Sequence, residues 1–181
     1  PETRDVYRRT HRERKDRLGG AGVYPGAGGI LMSRLHRPGV LVALDLTASR
    51  LPLTGVNPGW TRYDTLTYTP GVLAGDTLFM SGFAALDMET QEALHPDDSV
   101  AQAEVTYAAV QEVLAEVGAS AEQLAHVLEY VCPGGDDVEI AAVRERRFPA
   151  AKASVAGCAG LLRPEFLFEV FPTAVLAGGP A

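Results

Sequence analysis

The chain is short of the residues that announce chemistry on sight. Among 181 residues there are two cysteines, Cys132 and Cys158, too few for a disulfide framework and without metal-ligand spacing. The four histidines (His11, His36, His95, His126) are scattered over unrelated segments and suggest no metal site. No apolar run approaches the ~18 residues a membrane span needs, and no signal-like apolar region follows the N-terminus. Excess positive charge is missing as well. The net charge is −7 and the pI near 5.1, which argues against a general nucleic-acid binder. A reduced cytoplasmic setting is the expectation, with no membrane or nucleic-acid partner.

What is present supports a packed domain, since 46% of the residues are hydrophobic. The charge is unevenly placed. Residues 1–17 hold seven Lys/Arg against four acids, so the remainder is strongly acidic. This first segment reads as a polar helix with a solvated face.

A repeat organises the rest. "LHRPGVLVALDLTA" (35–48) and "LLRPEFLFEVFPTA" (161–174) keep Arg-Pro, a leucine and Thr-Ala in register, with apolar positions matched between them. Residues 29–34 and 39–47 read as strands about a turn at 36–39. Residues 49–64, rich in Pro and Gly, read as a linker.

From residue 65 the pattern is β-β-α-β-α-β-β, an α+β domain with a mixed sheet and two helices on one face. Gly75-Asp76 is a tight turn. Residues 97–118 form the strongest helix, with Ser99 and Gln102 expected as a capping box and Gly118 as its stop. Residues 124–132 form a strand, 136–148 a second helix, and 153–162 and 165–176 the closing strands. Residues 1–48 then look like the closing half of a degenerate first unit, followed by a complete unit at 65–181. A further polypeptide carrying the missing opening half is the expected partner of the first.

The complete unit resembles the RidA/YjgF family. The likeness rests on "YTPGVLAGDTLFMSG" (68–82), the helix from 99, the strand at 124–132, "FPA" (148–150) and "LFEVFPTA" (167–174) in family order. It implies a trimer or pseudo-trimer with sites between subunits. It further implies hydrolysis of small enamines or imines without metal or organic cofactor, or related hydrolase or lyase chemistry. Chorismate-hydrolysing enzymes resemble the plan too, with a degenerate first domain. A non-catalytic ligand-binding or assembly module of the same fold is the contrasting reading.

Carried over by position, Glu169 would orient water and Ser81 would approach the ligand, while Tyr68 and Gly82 would border the pocket. The family arginine is missing. Its position falls on Ala151, Lys152 or Ser154, depending on the alignment, and Lys152 offers a point charge in its place. The family asparagine would fall at Ala141 or Ala142. In the first unit Ala43 matches Glu169, and Ala27 takes the arginine position. Cys158 is a possible thiol nucleophile near the pocket strand.

Overall fold

The structure is a computed structural model that describes residues 3–18 and 22–176, with side chains from residue 8 onward. Helix α1 (Thr3–Leu18) is followed by a two-residue strand, β1 (Ile30–Leu31), and by β2 (Leu53–Val56). A 3₁₀ turn (Thr61–Thr65) leads to the hairpin β3 (Gly71–Ala74) and β4 (Thr77–Met80). Then come α2 (Ser99–Glu116), β5 (Leu124–Val131), α3 (Asp137–Arg147), β6 (Lys152–Gly157), β7 (Gly160–Leu161) and β8 (Phe168–Val175). Six strands make one mixed sheet in the order β2-β3-β4-β8-β5-β6. Among the described strands only the β5–β6 pair is parallel, joined by the α3 crossover that such a pair needs.

Local chemistry sets the boundaries. Gly75 opens the hairpin turn with φ 64°, the left-handed value a two-residue turn asks of its first central residue. Gly118 stops α2 at φ 69°. The α2 cap differs from expectation. Asp98 rather than Ser99 accepts from the Ala101 N–H, at 2.9 Å. Ser99 instead accepts from the Asp136 N–H, at 3.0 Å. Gln102 is fully buried and spans the gap to the closing strand. Its amide donates to the carbonyls of His95 and Glu165, and its Oε1 accepts from the Leu167 N–H.

Both α2 and α3 pack on one sheet face, as the sequence predicts. Phe168 and Val170 of β8, Leu78 of β4 and Val127 of β5 meet Tyr107, Val110 and Leu114 of α2 and Ile140 of α3. Side chains alternate along a strand, so Glu169 and Phe171 take the other face. There residues 25–31 run close against the sheet. Gly82 N–H donates to Ala27 O, Ala159 N–H to Leu31 O, and β1 pairs antiparallel with β7.

Three expectations are corrected. Residues 39–47 form no strand, and Leu41, Leu44 and Leu46 stand more than two-thirds exposed. Their likeness to β8 does not make them one, because β8 is held on both sides by β4 and β5, and residues 39–47 have no such neighbours among the described residues. The expected turn survives, with Gly39 at φ 79° and Val40 N–H donating to Arg37 O. The segment expected as a linker contributes β2 and the 3₁₀ turn, so the sheet begins at Leu53. Finally, the single strand expected at 153–162 is broken into β6 and β7. Among the described residues no helix is long and apolar enough to cross a membrane.

Candidate functional site

Beneath residues 27–28 lies a cleft of about 440 Å³. Its walls come from the 3₁₀ turn (Arg62, Tyr63), the start of the hairpin (Tyr68), the end of β4 (Gly82, Phe83) and the loop before β8 (Leu162, Arg163, Phe166), with Glu169 lining it from β8. Arg8 of α1 lines it as well.

Glu169 is a buried carboxyl group in this cleft. It is 6% exposed, and no described residue gives its carboxylate a hydrogen bond or ion pair. Burial alone pushes its carboxyl up to about 8, because a charge here loses its water without gaining a partner. Close packing holds it. A Cβ added at Gly82 would overlap Glu169 Oε1, and one added at Gly28 would sit 2.9 Å from the same atom. The two glycines therefore make the room that the carboxylate occupies.

An aromatic and cationic wall faces this group. The rings of Tyr63 and Tyr68 meet edge to face at 5.5 Å. The Arg62 guanidinium lies 5.1 Å from the Tyr63 ring centre and donates to the Tyr68 hydroxyl at 3.3 Å. Its Nε is buried and finds no acceptor among the described residues. Such an orphaned donor costs about 1–3 kcal/mol unless a ligand supplies the acceptor. Arg163 lies 5.9 Å from the Phe166 ring and donates to Gln91 O at 2.7 Å.

The structure brings Glu169, Tyr68 and Gly82 together and leaves the other candidates elsewhere. Ser81 is fully buried and does not line the cleft. Its hydroxyl donates to Thr69 O at 2.6 Å and accepts from Ala27 N–H at 2.9 Å, which pins residues 25–28 over the sheet. Lys152 is exposed on the edge strand β6, away from the cleft, because β6 starts the sheet border and not the pocket wall. Cys158 is buried against Cys132 and lies outside the cleft too. Neither Ala151 nor Ser154, the other positions for the missing arginine, lines it; Ser154 instead hydrogen-bonds His126.

Sequence reasoning missed the three arginines. Arg62 sat in a stretch taken for a linker. Arg163 was visible only as an anchor of the repeat, and nothing in the sequence tied Arg8 to the later chain. Among the described residues no group of three or more His, Cys, Asp or Glu side chains could hold a metal ion.

Residues 63–176 match the family model described as Endoribonuclease L-PSP. A member of the YjgF/YER057c/UK114 family from Mycobacterium tuberculosis is 20% identical, with 69% of this chain covering 100% of that one at TM-score 0.57. The yeast protein YEO7 is 17% identical, with 70% of this chain covering 100% of that one at TM-score 0.61. Escherichia coli TdcF, solved with bound serine, is 23% identical, with 61% of this chain covering 88% of that one at TM-score 0.55. These likenesses are of fold. No curated protein matches the sequence.

Proposed function

The chain belongs to the Endoribonuclease L-PSP family, grouped also as YjgF/RidA, and from that membership we propose that its cleft hydrolyses a small anionic imine or enamine without a cofactor. One observation carries the proposal: an unpaired, buried Glu169 in the same cleft as Arg62 and Arg163. TdcF was solved with an amino acid bound, which supports a small carboxylate as the ligand class here.

The chemistry follows from the carboxyl's raised affinity for protons. At neutral pH Glu169 is mostly protonated and can give its proton to an imine nitrogen, making the carbon more electrophilic. The carboxylate so formed accepts a proton from water as the water oxygen bonds to that carbon. The proton then passes to the amine nitrogen, and as the C–N bond breaks the Glu169 carboxylate takes the proton of the new hydroxyl, so that a carbonyl and ammonia leave and Glu169 is protonated again. A group whose affinity lies near the working pH suits both transfers. Arg62, stacked on Tyr63, presents a planar fork to the substrate carboxylate, in place of the family arginine. Tyr68 and Gly82 shape the pocket, and Ser81 holds its roof.

Ammonia release from freshly generated imino acids tests the reading. Turnover above the uncatalysed rate, abolished by Glu169→Ala, is expected. Tight binding of a small carboxylate with no turnover of any imine would move the protein to the binding-module alternative.

The same reading includes assembly as a trimer, with the exposed β6 edge as a contact surface; the mass in solution tests it. It also retains residues 1–48 as the closing half of a first unit. A polypeptide carrying the opening strands would then cover Leu41, Leu44 and Leu46. Protection of this segment from proteolysis only when such a polypeptide is added is the expected result.

A further inference from the structure

Cys132 and Cys158 stand directly after the last paired residues of two adjacent parallel strands, Val131 of β5 and Gly157 of β6. Neighbouring strands lie about 4.8 Å apart, inside the roughly 4.4–6.8 Å range of Cα separations that a disulfide spans. The two sulfurs are 3.3 Å apart, and both thiols are free. Both residues are more than nine-tenths buried. The backbone holds them there, with Cys158 N–H donating to Val131 O at 3.1 Å and Cys132 N–H to Leu167 O at 2.9 Å. Cys132 also lines a second cavity of about 530 Å³, whose walls include Leu31, Pro133 and Leu167 but not Glu169. A small uncharged oxidant fits such a space.

We propose that Cys132 and Cys158 form a reversible oxidative modification site, a dithiol converted to an intramolecular disulfide by hydrogen peroxide. Cys132 lines this second cavity and Cys158 does not, so Cys132 meets the oxidant first. Its sulfur bonds to one peroxide oxygen, the O–O bond breaks, and the other oxygen takes the thiol proton and leaves as water. The resulting sulfenic acid is attacked by the Cys158 sulfur, which lies 3.3 Å away. The S–O bond breaks, and the hydroxyl leaves with the Cys158 proton as a second water. Two thiols are oxidised by two electrons, and one peroxide is reduced to two waters.

The consequence reaches the main cleft through a short piece of chain. After Cys158, Ala159 and β7 bind β1, and Leu162 and Arg163 then line the cleft. Closing the sulfurs to a bond of about 2.05 Å draws on this loop. This inference does not depend on the chemistry proposed for Glu169.

The test is made on the full chain under native conditions. Hydrogen peroxide is expected to remove both titratable thiols with a mass loss of about 2 Da. Tryptic fragments 63–144 and 153–181 should then run as one species until dithiothreitol separates them. Cys158→Ser should trap a sulfenic acid at Cys132, detected by dimedone addition. Two thiols that stay titratable would overturn the proposal. So would sulfinic acids at separate cysteines, or a link formed only between two chains.

Discussion

Gly82 and Glu169 occupy one another's space: the carboxylate Oε1 sits where a Cβ on residue 82 would have to go. The glycine is required by this close approach and not by its backbone angle, since Gly82 is absent from the positions with positive φ. Gly82→Ala must therefore push Glu169 aside or force the strand ends apart. The expected result is loss of at least roughly 100-fold in kcat, the scale of a misplaced catalytic group, with a lower melting temperature. A variant that keeps full turnover would show that Glu169 need not stay where it is.

Glu169 also makes stability depend on pH in a definite direction. In the folded chain its carboxyl holds the proton up to about 8, while the ordinary value is 4.5. Between these limits the unfolded chain releases a proton that the folded chain keeps, so stability falls as pH rises, by about 1.4 kcal/mol per unit at most. Below 4.5 and above 8 the contribution is flat. Urea unfolding at pH 5, 7 and 9 should show the decline in the wild type and lose it in Glu169→Gln. The same titration should make kcat/KM fall above about 8, as the proton-donating form disappears. A rate that climbs through that pH would leave Glu169 acting as a base alone.

Arg62 should behave as a binding group. Replacing it with methionine keeps most of the stem packed on Tyr63 and removes the fork. Losing a charged hydrogen bond of about 1.5–3 kcal/mol should raise KM for an anionic substrate roughly 10- to 100-fold, with kcat much less affected. Arg62→Lys should recover only part, because a point charge does not reproduce two parallel donors. An unchanged KM would remove Arg62 from the site.

The sequence foretold the sheet better than the pocket, for a physical reason. Strand and helix periods are local, so α2, α3, β5 and β8 could be read from residue spacing alone. Glu169 was legible because its neighbours Phe168 and Val170 are apolar and strand alternation sets it on the opposite face. Arg62 was not legible. Its place in the cleft depends on Tyr63 and Tyr68 lining the same space as Gly82, a juxtaposition that no local pattern encodes. Ser81 shows the converse case. A Ser-Gly at a strand end reads as a ligand contact, yet both hydrogen-bonding directions of its hydroxyl are taken by the backbone of residues 27 and 69. The pairing of Cys132 with Cys158 needed the parallel register of β5 and β6, which joins residues 26 positions apart.

Thr106 offers a clean stability test. It is fully buried in α2, and its hydroxyl has no hydrogen-bond partner among the described residues. Valine has nearly the same shape and no polar atom to bury. Thr106→Val should stabilise the fold by about 1 kcal/mol, seen as a higher urea midpoint with an unchanged slope. A loss of stability would mean that the hydroxyl has a partner after all.

The core holds a charged cluster whose removal should be costly in an asymmetric way. Arg144 of α3 donates to Glu129 of β5 at 2.6 Å, and the Tyr107 hydroxyl of α2 donates to the other carboxylate oxygen. Glu129 is 1% exposed, so its charge is tolerable only while both donors remain. Burial and the carboxylate charge together raise the Tyr107 phenol well above its ordinary value, and it stays a donor at any working pH. Arg144→Met strands the carboxylate and should cost about 3–5 kcal/mol. Tyr107→Phe removes a single donor and should cost about 1.5–3 kcal/mol, the range for a hydrogen bond to a charged group. The double change Glu129→Gln with Arg144→Met leaves no buried charge, and should restore most of the stability lost in Arg144→Met alone. If the double variant is no more stable than the single one, the loss lies in the packing of the arginine stem, and the ion pair is not what joins α3 to β5.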